Sequence, residues 1–183
     1  EAQSISEEED AHEKELMNML DEDRLKYVGS MVLGLNDALV ELTRTLSGLS
    51  LALQDTKLIA LSGLVTGISA TLSMMSSEYL SSRSDGAEHP FKAAGYTGIM
   101  YISAVAMLVL PYLVLDNEHY LWALGAMLII VILIILVFTY YVSVAQDLPF
   151  KKRFLEMSTI SIGVAGIAFV IGSIVKHILG IEV

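Results

Sequence analysis

Apolar residues run through this chain in long blocks rather than in short alternations. Three blocks, residues 94–115, 120–144 and 157–179, are each long enough to cross a bilayer core, which needs about 20 mainly apolar residues in a helix. The centre of the second, MLIIVILIILVF at residues 127–138, contains no polar side chain. A fourth block, residues 58–80, is richer in Gly, Ser and Thr. A fifth, residues 29–53, is interrupted by Asn36, Asp37, Glu41 and Arg44, but VLGL, ALV and LSGLSLAL flank these groups at membrane length. The pattern predicts an all-α integral membrane protein with five transmembrane helices at about 29–53, 58–80, 94–115, 120–144 and 157–179. The links between them are short. No repeat relates one part of the chain to another, so an inverted-repeat architecture is not expected.

Residues 1–26 break the pattern. They hold ten carboxylates and three basic groups, a net charge of −7, whereas residues 27–183 carry only −3. The chain therefore divides into a polar arm, 1–26, and a five-span domain, 27–183. The arm has neither a basic start nor an apolar run, so it does not read as a signal peptide. Its first residue is Glu rather than Met, which leads us to expect a segment in front of it.

Composition narrows the class. Of 183 residues, 54% are hydrophobic and 17% charged, well below the ~25% charge of a soluble domain. The absence of cysteine excludes a disulfide scaffold, a thiolate zinc site and an iron–sulfur cluster. A net charge of −10 makes nucleic acid an unsuitable partner. HExxH, GxSxG, P-loop and GxGxxG motifs are all missing, and no His falls at mid-span, so the chain does not read as an enzyme.

The basic residues set an orientation. With the N-terminus inside, Lys14, Arg24, Lys26, Arg83, Lys92, Lys151, Lys152 and Arg153 are cytoplasmic, while only Lys57 and Lys176 lie outside. The positive-inside rule then predicts N-in, C-out, with the acidic arm as a cytoplasmic helix. Tyr112, Tyr120 and Trp122 fall near the outer boundary, where an aromatic belt is expected.

The first two spans carry the candidate chemistry. An ionisable residue at the bilayer centre costs about 2.5–3.5 kcal/mol on insertion scales, so such groups face protein or a wet path. Asp37, Glu41 and Arg44 stand at i, i+4 and i+7, on one helical face. Arg44 is the natural charge partner of one carboxylate, which leaves the other without a counter-charge on this helix. In the second span Met74 and Glu78 share a face, and Gly63 and Gly67 form a GxxxG that permits close helix packing. Carboxylate oxygens with a thioether suit divalent ions of the Mn²⁺ and Fe²⁺ kind, and the same carboxylates can take up protons when a metal leaves.

Two motifs on consecutive spans resemble the vacuolar iron transporter family: GLND at residues 34–37 and SMxxxEYLS within residues 73–81. The resemblance runs from Lys26 to Val183 and implies a homodimeric divalent metal/proton antiporter that exports Fe²⁺ or Mn²⁺ from the cytosol. The path would lie between subunits, lined by the first spans. It implies Asp37 as the pathway carboxylate and Met74 as the thioether near the cytosolic mouth; beside them Glu41 and Glu78 are expected among the metal ligands, either one standing in for the family carboxylate that this chain lacks. Plant members carry a further carboxylate about two turns before the methionine, where this chain has Thr66. They also carry a long metal-binding insert between spans two and three, for which residues 81–93 are too short.

The arm also resembles the last helix of a ferritin-like domain, which some prokaryotic members of that family carry in front of the five spans. Glu9 and His12 form the Glu-x-x-His pair that ligates metal in such bundles. One helix cannot complete a four-helix site. The resemblance places the chain in a prokaryotic cytoplasmic membrane, with lipid, protons, divalent metal and a second copy as partners and no permanently bound cofactor. The rival expectation is a membrane anchor or scaffold for a cytoplasmic ferritin-like metal-storage domain.

Overall fold

In a computed structural model the described backbone covers residues 2–146 and 149–179, and the described side chains are those from residue 27 onward except 145–148, 175, 176 and 179–183. Among the described residues five helices and one 3-10 turn make up the fold: α1 (Ala2–Leu53), α2 (Thr56–Ser84), α3 (Pro90–Val114), the turn Asn117–His119, α4 (Tyr120–Gln146) and α5 (Phe150–Leu179). There is no strand among the described residues. Four helical segments are long and apolar enough to cross a bilayer: Thr56–Ser84, Pro90–Val114, Asn117–Val144 and Phe150–Ile174. The protein is thus an integral, multi-pass membrane protein. Within its described residues α1 does not meet the same measure, because Asp37, Glu41 and Arg44 place three charges in its apolar stretch.

α1 nevertheless occupies the middle of the bundle. It packs against all four other helices. Leu35, Ala38, Leu39, Leu42 and Leu46 are fully buried against Ile59, Tyr101, Leu108, Met127 and Val131. The outer faces of the other helices are greasy: Leu61, Val65, Ile68 and Leu72 on α2, and Ile129, Leu133 and Val137 on α4, are all exposed. Apolar surface on that scale would be untenable in water and is what a lipid-facing bundle presents.

The helices run past the apolar blocks that predict them. α5 begins at Phe150 rather than near residue 157, because Lys151, Lys152 and Arg153 are good helix formers despite their charge. α2 continues to Ser84 and is closed by Asp85 and a positive-φ Gly86.

Glycines set the closest approaches. A Cβ on Gly34 would lie 2.6 Å from the Thr97 carbonyl oxygen, so the glycine of GLND lets α1 touch α3 backbone to backbone. A Cβ on Gly172 would collide with the Gly48 carbonyl, which marks a similar contact between α1 and α5. Gly63 meets Leu46 and Val109, and Gly67 meets Val105, so the GxxxG of α2 is used for packing inside the chain.

The α1–α2 turn and the α3–α4 turn share one end of the bundle. Asp55 caps α2 by accepting from the backbone N–H groups of Lys57 and Leu58. Asn117 donates to Asp55 (3.1 Å) and accepts from the Thr56 N–H and hydroxyl (2.9 Å each). Gln54, at φ 51°, donates to the Tyr120 hydroxyl. Tyr112 departs from the belt expectation: it is 0% exposed and shares a 2.8 Å hydrogen bond with Ser50, because its ring turns into the core rather than outward. Trp122, 74% exposed, does face out.

Candidate functional site

The charged stripe of α1 lies halfway along the bundle, beside α3. The Tyr101 hydroxyl donates to Glu41 Oε2 at 3.1 Å and also faces the Asp37 carboxylate. The tyrosine itself is fully buried among Leu39, Leu42 and Leu108. Two carboxylates one helical turn apart thus converge on one phenol, which can donate to either of them but not to both at once. Arg44 reaches Glu41 only at 3.7 Å, and it is 57% exposed while Glu41 is 31% exposed. At that separation Arg44 and Glu41 make a long contact with no hydrogen bond between them.

The second carboxylate site is nearer the arm end. Glu78 Oε1 accepts from Ser30 (2.6 Å) and from Ser82 (3.1 Å). The Thr97 hydroxyl donates to the Ser30 carbonyl, which ties α1, α2 and α3 together at that level. Ser30 precedes Asp37 by seven residues, or roughly 10 Å of helix rise. Glu78 is therefore about two turns from Asp37 along the bundle axis and does not join the Asp37–Glu41 pair. Met74, one turn closer to the centre than Glu78, is half-buried against the core. Its neighbour Met75 lies across Gly98 of α3.

Glu78 also lines a cavity of about 330 Å³ at the arm end, together with Tyr27, Ser30, Asp85, Glu88 and His89. Among the described residues no three acidic or His side chains stand close enough to hold a metal ion together. Asp37, Met74 and Glu78 instead stand apart at successive levels along α1 and α2. The side chains of Glu9 and His12 lie outside the described residues.

Against this geometry stands one match. Residues 28–88 fit the model of the VIT family. The resemblance to vacuolar iron transporters read from the sequence is borne out over that stretch. It spans α1 from Val28, all of α2 and the turn that follows, and so contains Asp37, Glu41, Arg44, Met74 and Glu78. The VIT match points to transport of metal ions across a membrane. No curated protein matches the chain.

Two residues that partner these carboxylates are not singled out by sequence reasoning: Tyr101 and Ser30. A tyrosine at the middle of an otherwise apolar span, far from either boundary, is the signal for the first. Ser30 carries none, since serine is frequent in this helix pair.

Proposed function

We propose that the chain is a transporter, not an enzyme, and that it exchanges a divalent metal ion, Fe²⁺ or Mn²⁺, for protons. The observation that carries this reading is the convergence of Asp37 and Glu41, both within the segment that matches the VIT family, on Tyr101 of α3 at mid-bundle. A pair of carboxylates binds a divalent cation in place of its protons, which leave to the adjoining water, and it takes protons back when the cation leaves. Tyr101 would hold whichever carboxylate is free of metal. Glu78 and Met74 stand on the way from the arm end, where the cavity beside Glu78 opens. Met74 biases the selection toward softer ions.

The stripe is also open sideways. Glu41 and Arg44 keep much of their surface uncovered in a single chain, and lipid is a costly neighbour for either. This supports a homodimer in which a second copy covers the stripe. The orientation in this reading is N-in, C-out, with the arm and the cavity at the cytosolic side of a prokaryotic cytoplasmic membrane, and the metal leaves the cytosol.

The test is flux in proteoliposomes carrying a lumenal pH dye. Adding Mn²⁺, or Fe²⁺ under anaerobic conditions, should alkalinise the lumen as protons leave in exchange. Asp37→Ala should abolish the signal, and wild-type flux in that variant would overturn the assignment. A scaffold for a metal-storage domain predicts no metal-driven proton movement in any variant.

A further inference from the structure

The two oxygens of Glu41 face different neighbours. Oε2 accepts from Tyr101 of α3, and Oε1 faces the Arg44 guanidinium at 3.7 Å. Tyr101 is fixed, because its ring is fully buried in the core. The side of Glu41 that an ion can approach is therefore the Oε1 side, and Arg44 stands on it. Arg44 is free to give way: it is more than half exposed, it sits at the end of a long flexible stem, and no hydrogen bond ties it to Glu41.

Beside Arg44 a groove of about 470 Å³ opens between α1 and α5. It runs along α1 from Arg44 to Ala52, about 12 Å of rise towards the α1–α2 turn and away from Asp37 and Glu41. Gly48, Leu49, Val164, Ile167 and Ile171 line it. Besides Arg44 the only polar side chain along it is that of Thr45, and no carboxylate borders it. Its walls can carry the methylene stem of Arg44, as apolar surface carries other long cationic side chains. They offer the guanidinium no counter-charge.

We propose that Arg44 is a tethered counter-cation, which stands at Glu41 while no metal is bound and is driven into the α1–α5 groove when a divalent ion binds Asp37 and Glu41. The inference rests on reading those two residues as the metal carboxylates. With both ionised, the stripe carries −1 when Arg44 is beside them, and a divalent ion added without displacement makes it +1. The repulsion between ion and guanidinium weakens metal binding and moves the side chain away. The groove holds no anion, so the guanidinium returns to Glu41 when the metal leaves. The vacated site is then never two bare carboxylates in an apolar bundle. Arg44 acts through Glu41, as a positioning residue that sets how tightly the ion is held and how readily it is released.

Mn²⁺ binding to the detergent-purified full chain, followed by loss of the free-ion electron paramagnetic resonance signal, tests this without transport. Arg44→Gln should bind Mn²⁺ about tenfold more tightly than wild type, the scale of one unit charge acting across a partly wet site. In proteoliposomes the same variant should show a lower KM together with a lower maximal rate. Arg44→Lys keeps the charge and should bind within about twofold of wild type. Ile167→Trp fills the groove from its exposed side. It should weaken binding about threefold in the wild-type background and have no effect beside Arg44→Gln. A gain of affinity cannot come from a poorly folded chain. Unchanged or weaker binding by Arg44→Gln overturns the proposal, as does an equal effect of Ile167→Trp in both backgrounds. Failure of the transport reading looks different: wild type binds no Mn²⁺, or Asp37→Ala binds it as wild type does, and this proposal then falls with it.

Discussion

At the scale of single residues, two side chains carry separable burdens. Tyr101 contributes one hydroxyl to Glu41 while its ring fills the core. Tyr101→Phe keeps the ring and removes the hydroxyl. It should therefore leave the melting temperature within a few degrees of wild type while slowing metal flux about tenfold, as expected for the loss of a hydrogen bond to a charged group of about 1.5 kcal/mol. Gly34 behaves in the opposite way. A Cβ there must displace the Thr97 carbonyl, so Gly34→Ala should destabilise the bundle by about 1–3 kcal/mol, read as a lower melting temperature in detergent. Asp37 and Glu41 were legible in the sequence because a charge inside an apolar block demands a reason. Their meeting at Tyr101 was not, and neither was the bond of Ser30 to Glu78, because nothing in one sequence says which helices face each other.

At the scale of elements, the apolar blocks foretold helices well and their ends poorly. Hydropathy reports where lipid contact stops, whereas a helix stops where its caps are. α2 illustrates both ends: Asp55 supplies the N-terminal cap, and Gly86 supplies a left-handed residue just beyond Asp85. Asp55→Ala removes two backbone hydrogen bonds and the tie to Asn117. It should destabilise the protein by about 1 kcal/mol and increase hydrogen exchange at Lys57 and Leu58 before any other part of α2. The glycine pair of α2 reads in sequence as a helix-packing device, and the structure gives it specific neighbours, Leu46, Val105 and Val109. No pattern in one sequence could have chosen them. Tyr112 shows the same limit: its position near a boundary was legible, but the direction of its ring depends on Ser50 of another helix.

At the scale of the whole molecule, the sequence announced an apolar helical bundle, and four of its helices meet the length and composition of spans. Its arrangement was hidden. The least apolar of the long helices is the central one, an order that hydropathy alone would reverse. The bundle interior satisfies Glu41 through Tyr101 and Glu78 through Ser30 and Ser82, which lipid cannot do. Orientation can be checked on the same scale, because the chain has no cysteine of its own. Single variants Ser84→Cys and Glu118→Cys should react with an impermeant maleimide from opposite sides of sealed vesicles. In right-side-out vesicles only Glu118→Cys should label, as N-in, C-out requires.

The paired glycine contacts of α1 bear on how such a bundle can move. Gly34 seats this helix on α3, and fourteen positions later Gly48 seats it on α5. A rod gripped at two heights by rigid main-chain saddles cannot piston up and down without lifting out of both. Any change of access to Asp37 and Glu41 must then come from neighbours tilting around a stationary spindle, with the carboxylates as its hub.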